Sequence, residues 1–391
     1  MIKNITFSKE RSDCFFNDLV CALLIVAQTL FGVIGINSVA LTFSIVLAVV
    51  ALFNLHKLWI STKYIFFTII IVSIFLLSII IHGTNSFLIG YIERFLLYAV
   101  IGCLFFSQQI DTKRVFRIVC LFSIVLIPLA FVRVVSADVY KQSEIYMSWS
   151  YSLFPLFCIS CLSIKYRYVS RPLSILIAVS LLFFFFRYGT RGIFLSLALF
   201  FFALCVFSFR KERLIKTIVL VIVFGLVVFL ITFNFNEIIN WISEKLNDLG
   251  VRSWGLEKML LKINNAQIDN GRNIVLSDAL KGILDNPFGH LISSFENQYG
   301  THTHNLFIQA MYEFGFVGVI SCVVLLNYSI KKSYGNSKDY HLTIILLVCS
   351  FGVLIVSSTY WDNPFFWFLI ANVFFAKKSN MKYYKSEIPA F

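Results

Sequence analysis

The sequence predicts an all-α polytopic membrane protein of about twelve transmembrane helices with one large external loop. Three observations carry that prediction: composition, recurring apolar stretches of membrane length, and positive charge that alternates between them. Hydrophobic residues make up 59% of the 391-residue chain, charged residues only 14%, and mean hydropathy is +0.84. Soluble domains carry about a quarter of their residues as Asp, Glu, Lys and Arg. This chain is built for hydrocarbon.

The elements follow in order. Apolar stretches lie near 14–35, 38–55, 64–82, 87–107, 115–135, 148–164, 173–186, 192–209, 217–234, 304–330, 342–358 and 364–376. Most are long enough to cross a hydrocarbon core of ~30 Å as a helix; the seventh and twelfth are short. The first has no small-residue cleavage pattern at its exit and reads as a span, not a removable signal. All nine cysteines fall in apolar stretches, an odd count that argues against a disulfide framework. Cys158 and Cys161, a CxxC pair inside one span, read as small apolar filling. There is no internal repeat. The chain is expected to be one membrane domain, 1–391, with a polar loop over 235–303.

The net charge of +13 is a topology signal. Cytoplasmic loops carry an excess of Lys and Arg. With Lys3, Lys9 and Arg11 inside, the even-numbered loops hold Lys57 and Lys63, then Lys113, Arg114 and Arg117, then Lys165, Arg167 and Arg171, then Arg210, Lys211, Arg213 and Lys216, then Lys331, Lys332 and Lys338. The tail adds Lys377, Lys378, Lys382 and Lys385. Most of the 33 basic residues thus fall on one side, which excludes a nucleic-acid partner and places both termini in the cytoplasm. The polar loop is then external. It is nearly balanced, six Lys and Arg against eight Asp and Glu, so no bulk field explains its arginines.

Local patterns organise the loop. Residues 237–249 place Ile238, Ile242, Leu246 and Leu249 on one helical face beside Trp241, which suits a helix lying flat at the membrane interface. A second helix is expected over 273–285, with Ile274, Ala279, Leu280, Ile283 and Leu284 apolar, Asp278 and Lys281 exposed, and Pro287 and Gly289 as its stop. Asn270-Gly271 is a turn that delivers Arg272 to the start of that helix.

The span after the loop is unusual. Asn305, Gln309, Tyr312 and Glu313 draw a polar stripe down an apolar helix, and polar residues at membrane depth usually face a cavity or another polar helix. Asn305, Gln309 and Glu313 are therefore candidate cavity residues, against the plainer reading of a helix-packing seam. His304 caps the outer end of the stripe, and His302 reads more as its neighbour than as a participant. A second external cationic site is Arg187-Tyr188-Gly189-Thr190-Arg191-Gly192. Guanidinium groups suit bidentate phosphate binding; Arg191 is the better candidate, and Arg187 also fits a snorkelling anchor at a helix end. Glu93 and Arg94 form an ionisable pair inside a span, read as mutual neutralisation. His302 and His304 lack a carboxylate-rich partner cluster, so no metal and no other cofactor is expected.

These residues resemble the O-antigen ligase/polymerase superfamily of bacterial inner-membrane glycosyltransferases, the Wzy-type polymerases and related ligases. The resemblance rests on Thr190-Arg191-Gly192 opening a span, Gly271-Arg272 in a large external loop, and Asn286-Pro287-Phe288-Gly289. It continues in His304-Asn305 followed after nine residues by Gly315 and Gly318. It covers roughly 185–330. It implies a GT-C-like membrane fold, a site on the periplasmic face of the inner membrane, and a donor glycan on undecaprenyl pyrophosphate. It also implies roles for Arg191 and Arg272 on the pyrophosphate and for His304 as general base. A chain-length regulator protein is an implied partner, beside membrane lipid. Between polymerase and ligase the resemblance favours a polymerase of O-antigen or capsular repeat units, with the ligase as alternative. From a different class, a secondary transporter is the third reading, opposed by the absence of an inverted repeat.

Overall fold

The computed structural model describes residues 15–30, 58–136, 143–188, 191–208, 235–248, 250, 260, 272–334, 340–355 and 358–377. Their regular elements are all helical. In chain order they are α1 (Phe15–Leu30), α2 (Thr62–His82), α3 (Ser86–Phe106), α4 (Thr112–Ser136), α5 (Ser143–Tyr166), α6 (Arg171–Tyr188) and α7 (Arg191–Ser208). Then come α8 (Phe235–Asp248), α9 (Arg272–Asp285), α10 (Ser294–Tyr299), α11 (Leu306–Tyr334), α12 (Tyr340–Leu354) and α13 (Pro364–Ile370). A π-helical segment, Phe95–Ile101, interrupts α3, and another, Ala371–Phe375, extends α13. The expected spans at 38–55 and 217–234 lie outside the described residues, as do Gly189, Thr190 and Gly271.

Among the described residues, five helices, α2, α3, α4, α6 and α11, are long and apolar enough to cross a membrane by length and composition. The expected twelve spans are therefore matched only in part by helices of membrane length. Helices α1, α7, α12 and α13 are apolar but shorter. The span expected over 342–358 stops at Leu354, because the chain turns there and folds residues 358–363 back over the site.

Lipid tails are as apolar as leucine, so burial alone does not bring helices together in a bilayer. The surface of this bundle shows the consequence. Helix α2 points Phe66, Ile69, Ile80 and Ile81 outward, and α11 does the same with Phe316, Val317 and Ile320. The interior packs aromatic and aliphatic side chains and ties them with buried polar ones. Ser174 Oγ donates to Ser163 Oγ at 2.9 Å, Ser196 Oγ to the Gly352 carbonyl at 2.9 Å, and Thr343 Oγ1 to Asn372 Oδ1 at 2.9 Å. Helix α12 is the centre, buried at every residue from His341 to Leu354.

The hydrogen bonds define two ends. At one, Arg114 pairs with the buried Asp18 at 2.9 Å, Arg117 Nε donates to the Tyr168 carbonyl, and Tyr168 meets His341 at 2.7 Å. Among the described residues this end gathers Lys113, Arg114, Arg117, Lys165 and Arg167. At the other, residues 82–94, 290–305, Ile355 and 358–362 converge. Near its start α7 meets the end of α12, Ser196 on Gly352, and near its own end Phe207 packs on Tyr334, the last residue of α11. The start of α7, Arg191, therefore sits at the same end as Ile355 and Asn305, which are joined by a 3.3 Å hydrogen bond.

Both loop helices form. On α8, Trp241 is exposed, in keeping with an interfacial position. Helix α9 instead docks on α11, burying Ala279 and Ile283 against Tyr312 and Phe295. Its contact face is narrower than the sequence pattern implies: Ile274, Leu280 and Leu284 point outward, and Asp278 is half-buried while Lys281 is exposed.

Candidate functional site

The site is organised by a break in α11. Gly315 has φ 61° and ψ −150°, outside helical space and open only to a residue without Cβ. The break frees the carbonyls of Tyr312 and Glu313, which an unbroken helix would give to residues 316 and 317. Backbone polar groups within a membrane must find partners in the protein. They find them in the Asn-Pro-Phe-Gly loop: His290 N–H donates to the Tyr312 carbonyl at 2.8 Å and Leu291 N–H to the Glu313 carbonyl at 2.9 Å. Gly289, itself at φ 102°, lets the two backbones touch. The far side of the loop is tied to the α2–α3 turn. His82 Nε2 meets the His290 carbonyl at 2.8 Å, and Asn85 Nδ2 donates to Ser293 Oγ at 3.2 Å. Of the glycines spaced after His304, Gly315 thus serves a loop-to-helix joint that fixes the chain leading into the histidines, while Gly318 lies against Ala310 and Phe314 of its own helix.

Beneath this joint lies a buried polar network. Glu296, on α10, is fully buried. Its Oε1 accepts from Tyr91 O–H at 2.9 Å and Gln309 Nε2 at 3.3 Å, and lies 3.3 Å from His302 Nδ1. Gln309 Nε2 also donates to Glu313 Oε1 at 3.2 Å. Glu313 accepts from Tyr360 O–H and from Trp361 Nε1, the latter at 3.1 Å. Next to it, Asp362 pairs with Arg94. Burial raises the Asp362 carboxyl above its ordinary value, and Arg94 opposes that shift.

Several sequence expectations change here. Arg94 is balanced by Asp362 across the fold, not by its neighbour Glu93. The polar stripe divides. Asn305 is the cap of α11, its Oδ1 accepting from Phe307 N–H at 3.0 Å. Tyr312 turns toward α9 and the loop, stacking on His290 and packing against Ala279, Ile283 and Phe295. Gln309 and Glu313 face the network and are buried. His302 is held at its edge, 3.0 Å from the Tyr91 hydroxyl, with Phe87 edge-on at 6.1 Å.

His304 stands beside it, ring centres 6.2 Å apart and planes nearly perpendicular. Its backbone has φ 56°, a left-handed conformation that a residue with a side chain adopts at a cost of order 1 kcal/mol or more. Nδ1 is buried and has no hydrogen-bond partner among the described residues. Burial, then the positive charge of Arg272, then His302, push its pKa down to about 4. The imidazole is therefore neutral near pH 7, and Arg272 is close enough to act on it. Arg272 is the exposed first residue of α9, where the positive helix end reinforces an anion-binding guanidinium.

Arg187 stacks its guanidinium over Tyr188 at 5.4 Å, with Nε buried and unpartnered among the described residues. That is more enclosed than a snorkelling anchor. The backbone of Arg191 begins α7 at this same end of the bundle; its side chain lies outside the described residues. Sequence reasoning missed Glu296, Tyr91, Tyr360, Trp361 and Asp362. Nothing local marks them: Glu296 is one of eight acidic residues in the polar loop, and only folding carries it into the interior.

Residues 176–323 match the Wzy_C family model, described as O-Antigen ligase. That stretch is an O-antigen ligase family domain, in agreement with the resemblance read over 185–330, and it contains Arg191, Arg272, His302 and His304. No curated protein and no solved structure matches the chain.

Proposed function

We propose, from the family domain over 176–323, that this chain is a polymerase that joins undecaprenyl-pyrophosphate-linked oligosaccharide repeat units at the periplasmic face of a bacterial inner membrane. The observation that supports it is the pairing of a neutral imidazole, His304, with a cationic helix start, Arg272, at the end of the bundle opposite the basic-rich turns. Such a pair suits two charges that develop together. As the anomeric carbon–oxygen bond to the diphosphate breaks, its electrons pass to the leaving group, and Arg272 with Arg191 stabilises that anion by charge-assisted hydrogen bonds. His304, neutral at pH 7, takes the proton of the acceptor hydroxyl as its oxygen attacks from the opposite side, which inverts the anomeric centre. The donor's lipid stays in the membrane, alongside the outward apolar face of the bundle.

The second reading is a ligase that transfers finished glycan to a lipid A-core acceptor, and the description of the matched family favours it. Surface glycan from cells carrying His304→Ala tests both. Loss of a polymerase leaves single repeat units on the lipid core. Loss of a ligase leaves none attached and lets carrier-linked polymer accumulate. A positioned base contributes about 10²–10⁴-fold, so a wild-type pattern in this variant would remove His304 from the reaction.

A further inference from the structure

The hydrogen bonds around His302 determine which of its nitrogens carries the proton. Tyr91 has one O–H, and Glu296 Oε1 takes it at 2.9 Å. His302 Nδ1 lies 3.0 Å from that same hydroxyl oxygen and 3.3 Å from the carboxylate oxygen. A lone pair on Nδ1 would face a carboxylate lone pair and a hydroxyl already committed elsewhere. A proton on Nδ1 satisfies all three groups at once. The same Oε1 also receives Gln309 Nε2 at 3.3 Å, so donors converge on that oxygen, while Oε2 is buried with no hydrogen-bond partner among the described residues. The ring is confined further by Phe87 and by His304.

We propose that Glu296 is a positioning residue for glycan transfer: with Tyr91 it locks His302 as the Nδ1–H tautomer and leaves a bare Nε2 beside His304 as a second proton acceptor. This rests on the glycan-transfer reading and deepens it. Ring centres 6.2 Å apart leave room for one hydroxyl oxygen within hydrogen-bond reach of both imidazoles, at ~2.8 Å from each. Arg272 and burial disfavour a charged His304. The proton that His304 takes from the acceptor hydroxyl, as its oxygen bonds the anomeric carbon, passes on to His302 Nε2, and Glu296 faces the resulting imidazolium. The charged groups around the pair are then Glu296 and Asp362 toward His302, Arg272 toward His304, and Arg94, the partner of Asp362. A carboxylate behind an imidazole fixes tautomer and orientation in this way wherever the far nitrogen must act.

Histidine-¹⁵N-labelled full-length protein in lipid nanodiscs provides the test, with the His302 signals assigned by His302→Asn. The wild-type spectrum should show the proton on Nδ1 and a bare Nε2. In Glu296→Leu the Tyr91 hydroxyl loses its acceptor, turns onto Nδ1, and moves the ring proton to Nε2. Tyr91→Phe keeps the carboxylate and should keep the tautomer. In a transfer assay with lipid-linked glycan, Glu296→Leu should lower kcat at least about 10²-fold with the donor KM unchanged, and Glu296→Asp should recover part of it. A wild-type Nε2–H tautomer, or a Glu296→Leu protein with normal kcat, overturns the proposal. If Glu296→Leu does not fold, the wild-type and Tyr91→Phe spectra still decide the tautomer. Failure of wild-type protein to transfer glycan would overturn the functional reading instead, and leaves the tautomer measurement standing.

Discussion

At the scale of single residues, Arg272 has two separable effects, and its substitutions tell them apart. Its positive charge disfavours an imidazolium at His304, so Arg272→Ala should move the His304 titration upward from about 4, while burial, the larger cause, keeps it below the ordinary histidine value. Arg272→Lys retains the charge and should leave that titration nearly in place, yet transfer should fall because an ammonium lacks the planar fork. Histidine titration by NMR beside an activity assay reads both. A His304 titration unmoved in Arg272→Ala would show that the guanidinium does not reach the imidazole. Glu313 is a different kind of residue. It accepts from Tyr360, Trp361 and Gln309 in the interior, and each donor stranded there costs about 1–3 kcal/mol. Glu313→Leu should lower the thermal midpoint markedly, and Glu313→Gln less, because an amide oxygen still accepts.

At the scale of elements, the broken helix α11 and the loop 286–293 behave as one unit. Gly315→Ala places a Cβ against the backbone of Pro287 and Phe288 at a dihedral pair foreign to alanine. Local strain of that kind costs about 1–3 kcal/mol before any steric clash is counted. The variant should reach the membrane in reduced amount and unfold at lower temperature. Backbone amides of His290 and Leu291 should lose hydrogen-exchange protection, since their acceptors are the carbonyls that the break exposes. Protection equal to wild type at those two amides would mean that the joint does not depend on the glycine. His82 and Asn85, tied to the same loop, extend the unit to the α2–α3 turn.

At the scale of the whole molecule, the proposed activity depends on which end of the bundle faces outward. Arg114 and Arg117 lie at one end and His302 and His304 at the other. Reporter fusions at residues 212, 335 and 385 should therefore read cytoplasmic, and fusions at 140 and 260 external. A cytoplasmic signal at 260 would place the site on the wrong side for a donor already carried across the membrane. The apolar outer faces of α2 and α11 are what such a bundle presents to lipid. Its polar contents, from Ser174 to Glu313, are held by hydrogen bonds that lipid would not offer.

The sequence by itself determined the class of the molecule, because hydropathy and charge placement are sums over many residues and survive local error. It also marked Arg272, His304 and the paired glycines, since helix starts, turns and spacing are properties of neighbouring residues. It could not divide the polar stripe: Asn305, Gln309, Tyr312 and Glu313 share a helical face by spacing alone, but the break at Gly315 and the packing of α9 decide what each one meets. Nor could it pair Arg94 with Asp362, 268 residues away, when Glu93 stood adjacent. Glu296 shows the limit most plainly. It carries no local signature, and its burial against Tyr91 and His302 exists only once α3, α10 and α11 are brought together. Contacts between segments distant in the chain are set by packing, and packing was left to the tertiary structure.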